Sequence, residues 1–273
     1  MLYRAFHALP TAIKGADGKP VNALLGAANL ILREVERCEP RAVAVCFGPD
    51  AATYRTELYA GYHAERPEMP DDLKPQWAKA PAFFEAFGWT VVDHDSLEAD
   101  DLLGTLARLE TKAGGKTLIM TGDRDMFQCA DKSVTVLYVS TGKGAQEVGP
   151  KEVRERYGIA PELVPDFIAL RGDPSDGLPG AKGVGEKTAA ELLREHGSLE
   201  AVLDNAIRER RPKLRTTLVD ARDELLDFKH IATLQDAGVK RPPDRATDWA
   251  GAAEAARAHG MGRLADRLQE KTL

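Results

Sequence analysis

Four short apolar runs, Ala42 to Phe47 (AVAVCF), Trp89 to Val92 (WTVV), Thr117 to Met120 (TLIM) and Val134 to Val139 (VTVLYV), all fall before Pro150. Runs this short and this continuously apolar suit strands buried on both faces. Helical patterns lie between them, among them Asn22 to Arg37 and Leu97 to Lys112. Strands alternating with helices predict an α/β domain over residues 1–150, with a mostly parallel central sheet and helices on both faces. Beyond Pro150 the pattern is helical only, with segments at about 150–157, 161–171, 186–195, 198–206 and 212–228 separated by Gly and Pro breaks. Residues 151–273 are therefore expected to form a small all-helical domain. The stretch 54–75, with Tyr59, Tyr62, His63, Arg66 and three prolines, fits neither pattern and reads as a connection over the sheet edge.

Composition narrows the function classes. Hydrophobic residues make up 43% and charged residues 29% of the 273, the balance of a soluble globular protein. No run nears the roughly 20 apolar residues of a bilayer span, and no signal peptide opens the chain, so a cytoplasmic protein with no membrane partner is expected. Cys38, Cys46 and Cys129 are odd in number and widely spaced, which suits buried small hydrophobes better than a disulfide framework or a zinc site. The net charge of −6 opposes a polyanionic partner unless acid and base are segregated. Acids cluster at 93–101, 123–131 and 173–176, whereas Arg208, Arg210, Arg211, Lys213 and Arg215 form one basic block. A metal site beside a phosphate-tracking surface gives such a split, and solvated helix faces give the basic block equally well.

The acids fall in three groups. "LEADDLLGTLA" sets Glu98, Asp100 and Asp101 around the first turn of a helix, where they complement the helix dipole. "TLIMTGDRDMFQ" puts Asp123 and Asp125 directly after an apolar strand, at the edge where open α/β sheets gather ligands. "GDPSDGLPG" supplies Asp173 and Asp176, residues that turn chemistry alone also explains. Brought together, these carboxylates would repel one another unless cations sat among them. Oxygen ligands without His or Cys point to Mg²⁺ or Mn²⁺, and two such ions about 4 Å apart support phosphodiester hydrolysis.

The acids of the third group run into "GAKGVGEKTAAELL", in which Gly180, Gly183 and Gly185 precede Lys187, Thr188 and a helical run. A Gly-x-Gly pair ahead of a helix lets backbone N–H groups approach a phosphate. The spacing fits neither a Walker loop nor a dinucleotide fingerprint. A structural turn between helices remains one reading; a helix-hairpin-helix that holds duplex backbone is the other.

The segments "YRAFHALP", "YRTELYAGYHAERPEMPDDL", "EADDLLGTLA", "TGDRDMFQ" and "GDPSDGLPGAKGVGEKTAAELL", in this order and spacing, resemble the 5′ nuclease or flap endonuclease family. The likeness is greatest to the N-terminal 5′-3′ exonuclease domain of bacterial DNA polymerases I, and it runs over nearly the whole chain. It implies a Mg²⁺- or Mn²⁺-dependent enzyme with two ions that cuts DNA at 5′ ends, flaps or single-strand/duplex junctions in replication and repair. It further implies a monomer of the bacterial cytosol or nucleoid, an arch at about 54–75, and a potassium-assisted helix-hairpin-helix (H3TH) at about 170–200. Carried over by position, Glu98, Asp100 and Asp101 would serve the first ion and the bridge, and Asp123, Asp125, Asp173 and Asp176 the second. Tyr62, His63 and Arg66 would belong to the arch, Arg66 with a catalytic role. Gly183 and Gly185 would form the K⁺ and phosphate loop, and Lys182, Lys187 and Thr188 would meet duplex phosphates.

Three departures from the family pattern bear on activity. The family carries a Val-Asp-Gly strand ahead of the Tyr-Arg-Ala-Phe segment, whereas here Met1 and Leu2 directly precede Tyr3, so that strand and its carboxylate are expected to be missing. Gly48 stands where the family has an Asp, with Asp50 two residues later as the candidate substitute, and His63 stands where an arch lysine is expected. Weak or silent catalysis with retained junction binding is thus a second expectation. An RNA-directed nuclease of the related PIN type is a third, disfavoured by the glycine hairpin.

Overall fold

The computed structural model describes residues 1–140 and 144–272. The apolar runs become strands β1 (Ala44–Phe47), β2 (Thr90–Asp93), β3 (Thr117–Thr121) and β4 (Val134–Ser140), and β5 (Gly144–Val148) follows. β1 pairs with β2 in parallel, β3 with β4 in parallel, and β5 folds back antiparallel on β4. Where one central sheet is expected, the strands form two small ones, ordered β1-β2 and β3-β4-β5. What separates them is a cavity of about 610 Å³ whose walls include Ala42 to Phe47 on one side and Lys116 to Thr121 on the other.

Helices cover these sheets. α1 (Leu2–Ala8), α2 (Asn22–Cys38), a short α3 (Thr53–Leu58) and α4 (Lys74–Glu85) precede β2, and α5 (Ala99–Lys112) joins β2 to β3. The buried Asn22 and Gln76 tie three of them together. Asn22 Nδ2 donates to the carbonyls of Phe6 and Leu9 at 2.9 and 2.8 Å, while Gln76 Oε1 accepts the Ala23 N–H at 2.8 Å. The start of α2, which lacks a cap of its own, is thus satisfied by a side chain from α4, as buried backbone donors require.

The second half is helical as expected: α6 (Pro150–Tyr157), α7 (Val164–Arg171), α8 (Glu186–His196), α9 (Leu199–Asp204), α10 (Pro212–Asp220), α11 (Arg222–Ala232), α12 (Trp249–Ala258) and α13 (Gly262–Glu270). The segment expected as one helix over 212–228 breaks at Ala221, with neither Gly nor Pro to mark it.

Packing does not follow the division at residue 150. Ile119, Phe127 and Val136 share a core with Phe167, Leu192 and Phe228, while Leu264 and Leu268 pack with Leu24, Phe84 and Trp89. The chain returns after α11 along the first half, where the Trp89 indole donates to Thr247 Oγ1 at 3.0 Å and Asp248 N donates to the Phe87 carbonyl at 2.8 Å. Among the described residues, no helix is long and apolar enough to cross a membrane.

Candidate active site

Three local structures bring carboxylates to the carboxyl edge of the strands. Asp100 sits in the first turn of α5, Asp123 and Asp125 follow β3, and Asp173 and Asp176 lie in the turn after α7. That last turn closes on itself: Asp173 N donates to the Leu178 carbonyl at 2.8 Å, and Gly172 and Gly180 pack so closely that a Cβ on Gly180 would lie 2.2 Å from Gly172 N. Only glycine fits there, and its positive φ of 66° is one that glycine adopts freely.

Electrostatically these acids form one basin. Burial, followed by the charges of Asp123, Asp176, Asp173 and Asp100, pushes the Asp125 carboxyl well above the usual range. Asp123 is raised by burial and by Asp176 and Asp173, and Asp100 is pushed up to about 7 by burial, Asp123 and Glu98. Asp125 Oδ1 is buried with no hydrogen-bond partner among the described residues, an arrangement that costs a protein free energy. The acids line a basin and do not close on a point: among the described residues, no group of three His, Cys, Asp or Glu side chains is close enough to grip an ion.

Two expected ligands are held by protein groups. Asp101, fully buried, accepts a forked pair of hydrogen bonds from Arg55 at 2.9 and 2.8 Å and a third from Gln235 N at 2.8 Å. Glu98 Oε1 accepts the Ala52 N–H at 2.8 Å and pairs with Arg55 at 2.9 Å. Burial would lower the Arg55 pKa, but Glu98 and Asp101 hold it above its ordinary value. Arg55 is thus a site residue that the sequence pattern missed. Its partner Asp101 lies 46 positions away and nothing local marks the pair.

The segment expected as an arch is fastened onto the basin. Tyr62, which the resemblance assigns to nucleic acid, is only 5% exposed, and its hydroxyl lies 3.1 Å from both Glu98 carboxylate oxygens. His63 stacks on it with ring centroids 3.9 Å apart and reaches Asp176 Oδ1 at 3.2 Å through Nε2 and the Asp50 carbonyl at 2.8 Å through Nδ1. Its N–H also donates to the Asp176 carbonyl at 3.0 Å, and its φ of 55° is rare for a residue with a side chain. Arg66 pairs with Asp50 at 3.0 Å and approaches Asp176 at 3.7 Å. Asp50, the candidate substitute at the first group, is therefore an exposed partner of Arg66 and does not reach back into the basin. Gly48 leaves no room for the family's Asp, because a Cβ there would lie 2.4 Å from the Leu97 carbonyl oxygen.

The glycine hairpin lies on the surface beside these acids. Ala181 and Val184 are buried as anchors, whereas Lys182, Gly183, Gly185 and Lys187 are exposed and Thr188 is partly so. Lys187 and Thr188 occupy the first turn of α8, and Thr217 Oγ1 of α10 donates to the Lys182 carbonyl at 3.3 Å. The basic residues from Arg208 to Arg215 are also exposed, with Arg211 paired to Glu209 and Glu191.

Comparison with known families gives two matches in tandem. Residues 1–158 match the 5′-3′ exonuclease N-terminal resolvase-like domain, and residues 159–246 match the 5′-3′ exonuclease C-terminal SAM fold. The chain belongs to the 5′-3′ exonuclease family. It is 41% identical over 209 residues to DNA polymerase I of Mycobacterium leprae, an alignment that covers 75% of this chain and 23% of that protein. It thus spans about a quarter of that relative's length. Among solved structures it shares its fold with the T5 D15 protein co-crystallised with metal ions, at a TM-score of 0.69 and 15% identity, covering 91% of this chain and 89% of that one. It likewise resembles the catalytic core of Rad2 in complex with DNA substrate, at a TM-score of 0.67 and 16% identity, covering 100% of this chain and 90% of that one.

Proposed function

We propose that the chain is a divalent-metal-dependent, structure-specific 5′-3′ exonuclease or flap endonuclease that hydrolyses DNA phosphodiesters in replication and repair. One observation carries this reading: the buried Asp125 oxygen, without a hydrogen-bond partner among the described residues, beside Asp100 and Asp123, whose carboxyls are raised with its own. Such a donor set, all oxygen and rich in negative charge, fits Mg²⁺ or Mn²⁺. Asp100, Asp123, Asp125, Asp173 and Asp176, with the buried Glu98 held beside them by Arg55, would hold two ions. When bound, such ions supply positive charge against a phosphodiester and its leaving oxygen.

The remaining roles belong to this chain's own side chains. Asp101 serves by fixing Arg55, which in turn orients Glu98. Arg66, at the basin rim beside Asp176, presents a permanent cation to an incoming phosphate. Gly183, Gly185, Lys182, Lys187 and Thr188 offer N–H groups, charge and a hydroxyl to duplex backbone, with K⁺ as an additional bridge. In this reading residues 1–150, joined by Asp173 and Asp176 from the turn after α7, carry the chemistry and the helices beyond hold duplex DNA, with the last two helices returned to brace the first part.

A second reading, binding of branched DNA with little cleavage, is favoured by Gly48 and by the diversion of Asp50 to Arg66. The test is incubation of a 5′-flap DNA with the chain and Mg²⁺ or Mn²⁺, beside the Asp125→Ala variant. Product from the chain alone supports the nuclease. Equal product from both overturns it, and salt-dependent binding without product selects the second reading.

A further inference from the structure

Carbonyls at the end of a helix find no partner within it, and in α11 two of them are taken by side chains from around the basin. Arg55 Nε donates to the Ile231 carbonyl at 2.9 Å, and Gln128 Nε2 donates to the Ala232 carbonyl at 2.9 Å. The chain then turns, and Leu234 N donates to Gln128 Oε1 at 3.2 Å and Gln235 N to Asp101 Oδ1 at 2.8 Å. Gln128 Nε2 makes one further bond, to the Asp125 carbonyl at 2.9 Å. Turned over, this amide would set its oxygen against two carbonyls and its NH₂ against an N–H, so one orientation alone fits. Lys229, on the same helix, holds Asp166 of α7 and Glu200 of α9 at 2.9 and 2.8 Å, and α7 leads into the turn of Asp173 and Asp176.

We propose that Gln128 is a positioning residue for Asp125: it ties the 3₁₀ turn Asp125–Cys129 to the end of α11 and so sets where the Asp125 carboxylate stands relative to Asp173 and Asp176, without touching an ion or DNA itself. This role rests on the reading of the basin as a divalent-metal site. Asp125 Oδ1 has no hydrogen-bond partner among the described residues, so no bond at that oxygen holds the carboxylate and its place follows from the backbone that carries it. Met126 and Phe127 sink the turn into the core, but apolar packing has no direction. The bonds of Gln128 give the turn its direction against α11. Without the amide the turn keeps its apolar anchor and loses its alignment, which misplaces one ligand of an ion that holds its geometry strictly.

The experiment compares the full chain with Gln128→Met, close in volume and without the amide, and with Lys229→Met, which loosens α11 from α7 and α9 but leaves the partners of the basin in place. Free Mn²⁺ is followed by its electron paramagnetic resonance, flap cleavage at saturating Mn²⁺ is split into kcat and KM, and the ¹³C resonance of the Asp125 carboxyl is read in the metal-free chain, all per folded molecule. Gln128→Met should weaken Mn²⁺ binding by roughly tenfold, lower kcat by as much with KM little changed, and move the Asp125 resonance. Lys229→Met should lower Tm while leaving Mn²⁺ affinity, kcat and the resonance in place. Mn²⁺ affinity and kcat of Gln128→Met within about twofold of the unaltered chain overturn the proposal, and so does an equal loss from Lys229→Met, which would make the effect one of general stability. If the unaltered chain takes up no Mn²⁺, the metal reading fails by itself and the Asp125 resonance decides: moved by Gln128→Met alone, it sustains the positioning role; unmoved, it overturns it. Should Gln128→Met not fold, Gln128→Asn, whose amide is one methylene too short for its three partners, carries the same readouts.

Discussion

Gly48 packs beneath Leu97 so closely that any Cβ at position 48 would lie 2.4 Å from the Leu97 carbonyl oxygen. The exit of β1 and the entry to α5 are therefore in backbone contact, and the family's carboxylate at this point has no space in the present backbone. Gly48→Asp should lower stability by about 1–3 kcal/mol, as overpacking does, and leave Mn²⁺-dependent cleavage no faster. Thermal unfolding and flap cleavage read both effects; an unchanged Tm with faster cleavage would contradict this account.

The acid basin sets a pH dependence. Asp100, pushed up to about 7, and Asp123 and Asp125, also raised, bind protons more tightly folded than unfolded. Their ionisation therefore destabilises the fold, so in EDTA stability should fall as pH rises from the ordinary carboxylate range through about 7. Asp125→Asn should flatten this slope and raise Tm at pH 8, while abolishing cleavage. Urea unfolding across pH 5 to 8 measures it, and a metal-free chain more stable at pH 8 than at pH 5 would refute the basin.

Arg55 carries a structural burden. It is 3% exposed and neutralises both Asp101 and Glu98. Arg55→Ala should cost about 3–5 kcal/mol, since it leaves a buried carboxylate unpaired. Denaturant titration gives the number, and a loss under about 1 kcal/mol would show the pair to be dispensable.

The hairpin should act through phosphates. Lys182→Ala and Lys187→Ala are expected to weaken duplex-bearing DNA across sequences and to reduce the slope of log affinity against log salt by about 1 each. Fluorescence anisotropy at several salt concentrations tests this, and an unchanged slope would remove the two lysines from the interface.

Much of this architecture is legible in the chain because it rests on local pattern. The apolar runs mark β1 to β4, the Gly-rich turn marks the hairpin, and the acids stand at element ends where a parallel fold gathers them. β5 escapes because Gly144 to Val148 (GAQEV) has no apolar run and is held mainly by its pairing to β4. The break at Ala221 and the return of α12 and α13 onto the core around Trp89 are tertiary choices without a local mark. Within the site, the sequence places the acids but not their partners. Whether a carboxylate faces an open basin, as Asp125 does, or is consumed by an arginine 46 positions away, as Asp101 is, depends on packing alone.

The most direct test of the basin is a titration of the metal-free chain with Mn²⁺, followed by isothermal calorimetry, beside Asp125→Ala and Asp101→Asn. The account predicts saturable binding by the chain, loss of about tenfold or more in affinity with Asp125→Ala, and a far smaller loss per folded molecule with Asp101→Asn. Binding that Asp125→Ala leaves intact would contradict it.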